Sequence, residues 1–268
     1  KLINKDKVAV IGAGIIGLAI AYKLSFQNKK VIVFEKESAE GMHQSGRNSG
    51  VLHCGLYYKP GSLKAQLSVK GIREMIAFAK SNNIPHDVCG KVVVATSEKE
   101  EKSLGILAKR GEKNGLKGLK YLSSDELKKR EPFVRSKKVL LVPEEGIIDY
   151  KYVMRILVEK IKENGGSIYY SSPVKSVMHN NTSVYINTEK YENTFDHVIS
   201  CSGLWSDRNY ANLTNEKSPL KIIPFRGEYL KFRQGYEDFV NHLIYPVPDD
   251  HFPFLGVHFT RMIDGSRE

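Results

Sequence analysis

Hydrophobic and polar positions change period along the chain, and each change marks an element. Lys7–Ile11 (KVAVI) is a short apolar run, the pattern of a strand buried on both faces. After a glycine-rich turn, Ile15–Leu24 is apolar almost all round, which predicts a buried helix. Asn28–Lys30 is a polar turn, and Val31–Glu35 (VIVFE) is a second, β-branched strand. Strand, helix and strand with short connections make a βαβ unit with a right-handed crossover.

Further on the periods are mixed. Gly41–Gly61 is polar, glycine-rich and aromatic, too irregular for one element. Leu63, Leu67, Ile72, Ile76 and Ala79 recur at near-helical spacing and predict an amphipathic helix over 62–82. Lys91–Ala95 (KVVVA) is a strand, and Glu98–Asn114 a charged helix closing on Gly115. Ser123 and Glu126 have the spacing of a capping box for a short helix ending before Pro132. Asp149 can cap a helix over Tyr150–Asn164, which stops at Gly165 and Gly166. Ser167–Met178, Ser183–Asn187 and His197–Cys201 read as strands. Lys221–Phe232 and Leu243–Val247 read as strands of a second sheet.

Composition narrows the class. The 268 residues suffice for one large or two modest domains, and 41% apolar with 26% charged residues is the mix of a folded chain. The net charge of +11 favours acidic substrates or anionic surfaces. Lysine on solvated faces accounts for much of it, and no nucleic-acid recognition motif accompanies it. Peripheral membrane contact is compatible with the basic surface. Cys54, Cys89 and Cys201 are odd in number and far apart, so neither a disulfide framework nor a CxxC metal site is expected. A reducing compartment, the cytoplasm, is the corresponding expectation. No run of about 18 apolar residues occurs to span a membrane.

Gly12-Ala13-Gly14-Ile15-Ile16-Gly17 is GxGxxG between the first strand and its helix, and Glu35 ends the second strand 18 residues after Gly17. Gly12 permits the tight turn, Gly14 the approach of a pyrophosphate, and Gly17 close helix–strand packing. The helix N-terminus holds the anion. The Glu35 carboxylate accepts ribose hydroxyls and disfavours a 2′-phosphate, which argues against NADP. FAD and NAD both present an ADP moiety, so the fingerprint alone leaves both open.

The next segment separates them. His43-Gln44-Ser45-Gly46-Arg47-Asn48-Ser49-Gly50-Val51-Leu52-His53 and Tyr57–Ala65 (YYKPGSLKA) resemble the D-amino-acid-oxidase-like FAD oxidoreductases, within them the L-2-hydroxyglutarate oxidase/dehydrogenase family. So do Cys89-Gly90-Lys91, Ile199–Gly203 (ISCSG), Pro224–Tyr229 (PFRGEY) and Leu243–Ser266. The resemblance runs over nearly the whole chain. It implies an α/β fold, α+β in part: an FAD-binding, doubly wound Rossmann-like domain interleaved with a substrate domain on an antiparallel sheet. The expected division is 1–82 and 140–218 for FAD, and 83–139 and 219–268 for substrate.

It also implies roles for residues. FAD would be held by Gly12, Gly14, Ile15, Ile16, Gly17, Glu35 and Lys36. Ser45, Arg47, Asn48 and Ser49 would join from the loop beside the flavin. Val174 would face the adenine, and Cys201 and Gly203 the pyrophosphate. The implied reaction oxidises the secondary alcohol of L-2-hydroxyglutarate to 2-oxoglutarate, with a hydride leaving C2 for flavin N5 and the hydroxyl proton leaving to a base. His53, a neutral imidazole in the flavin loop, is the first candidate base and His258 the second. On a strand, His258, Thr260 and Met262 share one face and Arg261 the other. Arg226, among Ile222, Ile223, Phe225 and Leu230, is the candidate for bidentate capture of a substrate carboxylate. Tyr57, Lys64, Tyr245 and Arg261 are further substrate candidates. Cys54 beside His53 is read as packing rather than as a covalent flavin link.

The resemblance stops at Ser266, and the family's sequences continue well beyond it, which makes a fragment or a truncated product the expectation. Two classes of function follow: an FAD enzyme acting on L-2-hydroxyglutarate, or a catalytically silent nucleotide-binding remnant. Amine oxidation of the sarcosine type, amino-acid oxidation and glycerol-3-phosphate oxidation are rivals within the first. Oxygen, a quinone or another flavoprotein is the electron acceptor left open. The location is cytoplasmic, with peripheral contact at an inner membrane and a mitochondrial setting if the source is eukaryotic.

Overall fold

The computed structural model describes residues 6–27, 29–249 and 256–268. Asn28 in the first polar turn, and residues 250–255 within the Leu243–Ser266 stretch, lie outside the described residues. The chain divides into two compact units, 1–48 with 150–227, and 49–149 with 228–268.

The first unit is built on β1 (Lys7–Ile11), α1 (Ile15–Ser25) and β2 (Lys30–Phe34). With β9 (Ser167–Tyr169) and β13 (His197–Ser200) they give a parallel sheet in the order β13-β1-β2-β9. Successive side chains of a strand point to opposite faces. Val8, Val10, Val31 and Val33 therefore share the face opposite to Ala9, Ile11, Ile32 and Phe34, and all eight are buried. The second set packs against Val177, Ile186 and Phe195. Those three come from an antiparallel meander of β10 (Ser176–His179), β11 (Val184–Asn187) and β12 (Glu192–Phe195). Helix α1 packs along α5 (Tyr150–Glu163), whose buried stripe is Val153, Met154, Leu157, Val158 and Ile161. The expected single strand over Ser167–Met178 is instead two strands in different sheets. Ser171 adopts a positive φ of 47° and Pro173 has no N–H to donate, so the ladder breaks between them. Helix α6 (Ser206–Thr214) follows β13.

The second unit contains β3 (Val51–Leu52), α2 (Leu63–Ser81), β4 (His86–Asp87), β5 (Lys91–Ala95) and α3 (Glu98–Lys113). It continues through β6 (Lys120–Tyr121), α4 (Ser124–Arg130), β7 (Lys138–Val142), β8 (Gly146–Ile148) and β14 (Leu243–Pro246). Ser62 caps α2, and α4 has the expected capping box of Ser123 and Glu126. One sheet runs β14-β5-β7-β6 and a smaller one β3-β8-β4. The larger sheet is mixed rather than purely antiparallel, because β14 pairs parallel with β5. Parallel neighbours need a long crossover, and here most of the chain separates the two strands.

Two sequence expectations are corrected. Lys221–Phe232 forms no strand; 221–232 is irregular, with Ile223, Phe225 and Leu230 well exposed. The unit boundaries also shift, since 49–82 and 140–149 join the second unit and 219–227 the first. The cause is local pairing. β3 and β4 are hydrogen-bonded to β8, and Arg73 of α2 is bound by Glu144 at 2.9 Å.

Candidate functional site

The glycine turn of the first unit carries the features a dinucleotide requires. Gly12 sits at φ +107°, and a Cβ there would lie 2.4 Å from the Cys201 carbonyl oxygen. A Cβ on Gly17 would lie 1.9 Å from the Gly12 oxygen. Only glycine permits either contact. Helix α1 begins at Gly14, which brings no capping side chain, and no acidic residue stands in its first turn. The N-terminal positive pole thus opens toward an anion.

Glu35 is buried and directly follows β2. Its carboxylate accepts the Ala13 N–H at 2.7 Å and the Glu37 N–H at 2.9 Å. Each oxygen keeps a lone pair for a ribose hydroxyl. Ser45 Oγ accepts the Ile15 N–H at 3.0 Å.

A cavity of about 830 Å³ lies against these groups. Gly12, Gly14, Ile16, Glu35, Lys36, Ser45, Val174, Cys201 and Gly203 line it. Ile15 and Gly17 stand behind the wall, one bonded to Ser45 and the other packed on Gly12. Arg47 and Asn48 do not line it. Asn48 instead donates its amide to the Gln44 and Ser45 carbonyls at 2.9 Å each, shaping the loop that carries Ser45. Ser49 falls in the second unit. Gln44 and Trp205 also line the cavity, and the Lys36 ammonium lies 5.1 Å from the Trp205 ring centroid.

The second unit gathers His53, Tyr57, Tyr245 and His258 around a pair of charges that the sequence reading missed. Lys91 and Glu145 are completely buried and meet at 2.7 Å. Burial alone would raise the Glu145 carboxyl, but Lys91 and then His53 outweigh it and hold the group below the usual carboxylate range. Burial likewise opposes the Lys91 ammonium, and Glu145 reverses the balance, leaving it above the usual lysine range. The ammonium lies 4.5 Å from the Tyr57 ring centroid and 4.9 Å from that of Tyr245. Glu145 also accepts the Cys54 N–H at 3.2 Å and the Cys54 thiol at 3.1 Å. Burial, then the Glu145 charge, push that thiol far above the thiolate range, which fits the packing reading of Cys54.

His53 is half exposed, with Nδ1 3.4 Å from Glu145 Oε2. Its ring meets Tyr245 edge-on at 6.1 Å, and His258 meets Tyr245 at 4.4 Å. His258 Nδ1 is engaged with the Gly256 carbonyl at 2.8 Å. Burial pushes the Tyr245 hydroxyl up to about 12, and Tyr57 is raised by the same cause. Arg261 turns away to Asp87 at 2.8 Å. Lys64 lies on the exposed Tyr58 ring at 5.7 Å. Arg226, expected on a strand, lies exposed in the irregular part of the first unit. A lysine heading a fully buried strand, Lys91-Val92-Val93-Val94-Ala95, was the available sign of the ion pair.

Residues 7–267 match the family described as FAD dependent oxidoreductase, DAO. The chain belongs to that family. Its cofactor is accordingly FAD, and the NAD alternative is set aside. The turn, the helix N-terminal pole, the buried acid and the size of the cavity all fit that group. The chain is 46% identical over 264 residues to an L-2-hydroxyglutarate dehydrogenase of Indibacter alkaliphilus, covering 98% of this chain and 66% of that protein. It is 43% identical to an L-2-hydroxyglutarate dehydrogenase of Escherichia coli, covering 96% of this chain and 61% of the relative. The chain therefore spans less than two thirds of either relative's length. Among solved structures, L-alpha-glycerophosphate oxidase from Mycoplasma pneumoniae with FAD bound superimposes with a TM-score of 0.78 at 24% identity. That match covers 99% of this chain and 70% of the oxidase, and at that identity it speaks for the fold alone.

Proposed function

We propose that this protein is an FAD-dependent enzyme that oxidises L-2-hydroxyglutarate to 2-oxoglutarate. The observation that carries the reading is 43–46% identity to two dehydrogenases of that name across 96–98% of the chain. Gly12, Gly14, Gly17, Glu35 and Ser45 hold the ADP half of the cofactor, with Ile15, Ile16, Lys36, Val174, Cys201 and Gly203 beside it. Asn48 acts through the Ser45 loop, and Arg47 and Ser49 complete that segment. Bound FAD supplies the acceptor for the hydride from substrate C2.

The chain's own work is to bind two carboxylates and remove a proton. His53 is the base: a neutral imidazole accepts the hydroxyl proton, and its ring is half exposed. His258, on the other side of Tyr245, is the alternative base. Arg226 supplies a planar fork for one carboxylate. Tyr57, Tyr245, Lys64 and Arg261 are secondary in this role, because Tyr245 is buried, Tyr57 is half-buried and Arg261 is already matched by Asp87. Oxygen, a quinone or a flavoprotein takes the electrons. Among the described residues no helix is long and apolar enough to cross a membrane. The enzyme works in the cytoplasm or on the inner face of a membrane, held there by its basic surface.

The test is anaerobic mixing of the FAD-loaded protein with a panel of 2-hydroxy acids, glycerol 3-phosphate, sarcosine and amino acids. Rapid flavin bleaching by L-2-hydroxyglutarate is the expected result. Bleaching by a rival compound instead reassigns the substrate, and no bleaching by any of them favours the silent nucleotide-binding remnant.

A further inference from the structure

We propose that Glu145 is a positioning residue, holding the His53 imidazole with its proton on Nδ1 and the Nε2 lone pair facing outward. Its catalytic meaning rests on the reading of His53 as the base.

An ionised carboxylate accepts and never donates, with about four lone-pair sites. Oε1 of Glu145 is occupied by the Cys54 N–H and the Cys54 thiol. Oε2 is ion-paired with Lys91 at 2.7 Å, and its remaining face lies 3.4 Å from His53 Nδ1. That distance is longer than a formed hydrogen bond, and Oε2 is a buried acceptor still without a hydrogen-bond partner; such contacts tighten when a site fills.

Two tautomers of a neutral imidazole are available. With the proton on Nε2, the Nδ1 lone pair would face the lone pairs of Glu145, and the contact would be repulsive. With the proton on Nδ1, the ring donates to Glu145 and Nε2 is left as the acceptor. Lys91 makes the choice one-sided. Fully buried against it at 2.7 Å, its ammonium favours the charged form of Glu145, so the carboxylate acts as an acceptor. Tyr245, edge-on to His53 at 75°, limits rotation of the ring out of this arrangement. The polar direction runs from the buried pair to the half-exposed imidazole, and a base needs its free nitrogen on that outer side.

The experiment is ¹⁵N NMR of the 268-residue protein labelled at histidine, with the His53 signals assigned by His53→Asn. At a pH where the ring is neutral, the expected spectrum shows protonated Nδ1 and unprotonated Nε2. In Lys91→Met/Glu145→Leu, which removes both charges together, His53 should revert to the Nε2–H form favoured by free imidazole. If that variant fails to fold, Glu145→Asp withdraws the carboxylate by one methylene while keeping the charge beside Lys91. It should give a mixed tautomer population. A wild-type Nε2–H ring, or the same tautomer in wild type and folded variant, overturns the proposal. Flavin reduction by His53→Asn tests the base reading separately. Undiminished rates there would remove the base role and leave the tautomer result standing.

Discussion

Removing one charge from the Lys91–Glu145 pair should cost far more than removing both. In Lys91→Met the Glu145 carboxylate stays fully buried beside a neutral thioether with no cation, and breaking such a pair costs about 3–5 kcal/mol. Glu145→Leu leaves the ammonium in the same position and also orphans the Cys54 N–H, which adds about 1–3 kcal/mol. The double variant has no buried charge left. Its cost reduces to the Cys54 donor and imperfect packing, about 1–3 kcal/mol. The singles therefore sum to at least about 7 kcal/mol, and the coupling energy is about 4 kcal/mol or more. Urea unfolding followed by circular dichroism measures all four proteins. A double variant as unstable as the sum of the singles, or a Lys91→Met protein within about 1 kcal/mol of wild type, would refute the reasoning. The pair also sets a pH window. Glu145 is held below its unfolded value, so its contribution is complete above about pH 5 and is lost as pH falls through the folded value. Lys91 is held above its unfolded value, so its contribution is complete below about pH 10 and is lost as pH rises through the folded value. Wild type should lose stability at both extremes, and the double variant should show a flatter profile.

The remaining predictions concern the cofactor site and the chemistry. Gly17→Ala should abolish FAD retention on gel filtration, because a Cβ 1.9 Å from a backbone oxygen has no room to relax; normal retention would contradict the packing argument. Glu35→Gln should weaken FAD binding about 10–100-fold by titration, the cost of a lost charged hydrogen bond at about 1.5–3 kcal/mol. Trp205 is the sole tryptophan and lines the cavity, so FAD should quench its fluorescence, and an unquenched signal in the loaded protein would remove it from the cofactor wall. His53→Asn should slow flavin reduction about 10²–10⁴-fold and lose the acid limb of the pH profile; a preserved limb would move the base role to His258.

What was legible in the sequence was local. The glycine turn, Glu35 and the two flanking strands are contiguous, and their packing demands are written in residue types that allow few substitutes. The capping box at Ser123 and the parallel placement of β1 and β2 are legible for the same reason. The division into units was harder to read, because it depends on pairs far apart in the chain. β8 receives strands from both 51–52 and 86–87, and β14 reaches β5 only after most of the chain has intervened. Lys91 and Glu145 lie 54 positions apart, and neither looks unusual without its partner. The 221–232 segment misled for the opposite reason: its apolar residues carry a strand's composition, yet Phe225 and Leu230 stand exposed on irregular backbone.

The most direct test of the proposed activity is a single turnover of the FAD-loaded protein with each enantiomer of 2-hydroxyglutarate, without oxygen. The flavin spectrum and the product are measured in the same sample. The L enantiomer should bleach the flavin and yield one 2-oxoglutarate per flavin reduced, while the D enantiomer leaves the spectrum unchanged. Equal reduction by both enantiomers, or bleaching without 2-oxoglutarate, would contradict the proposed activity.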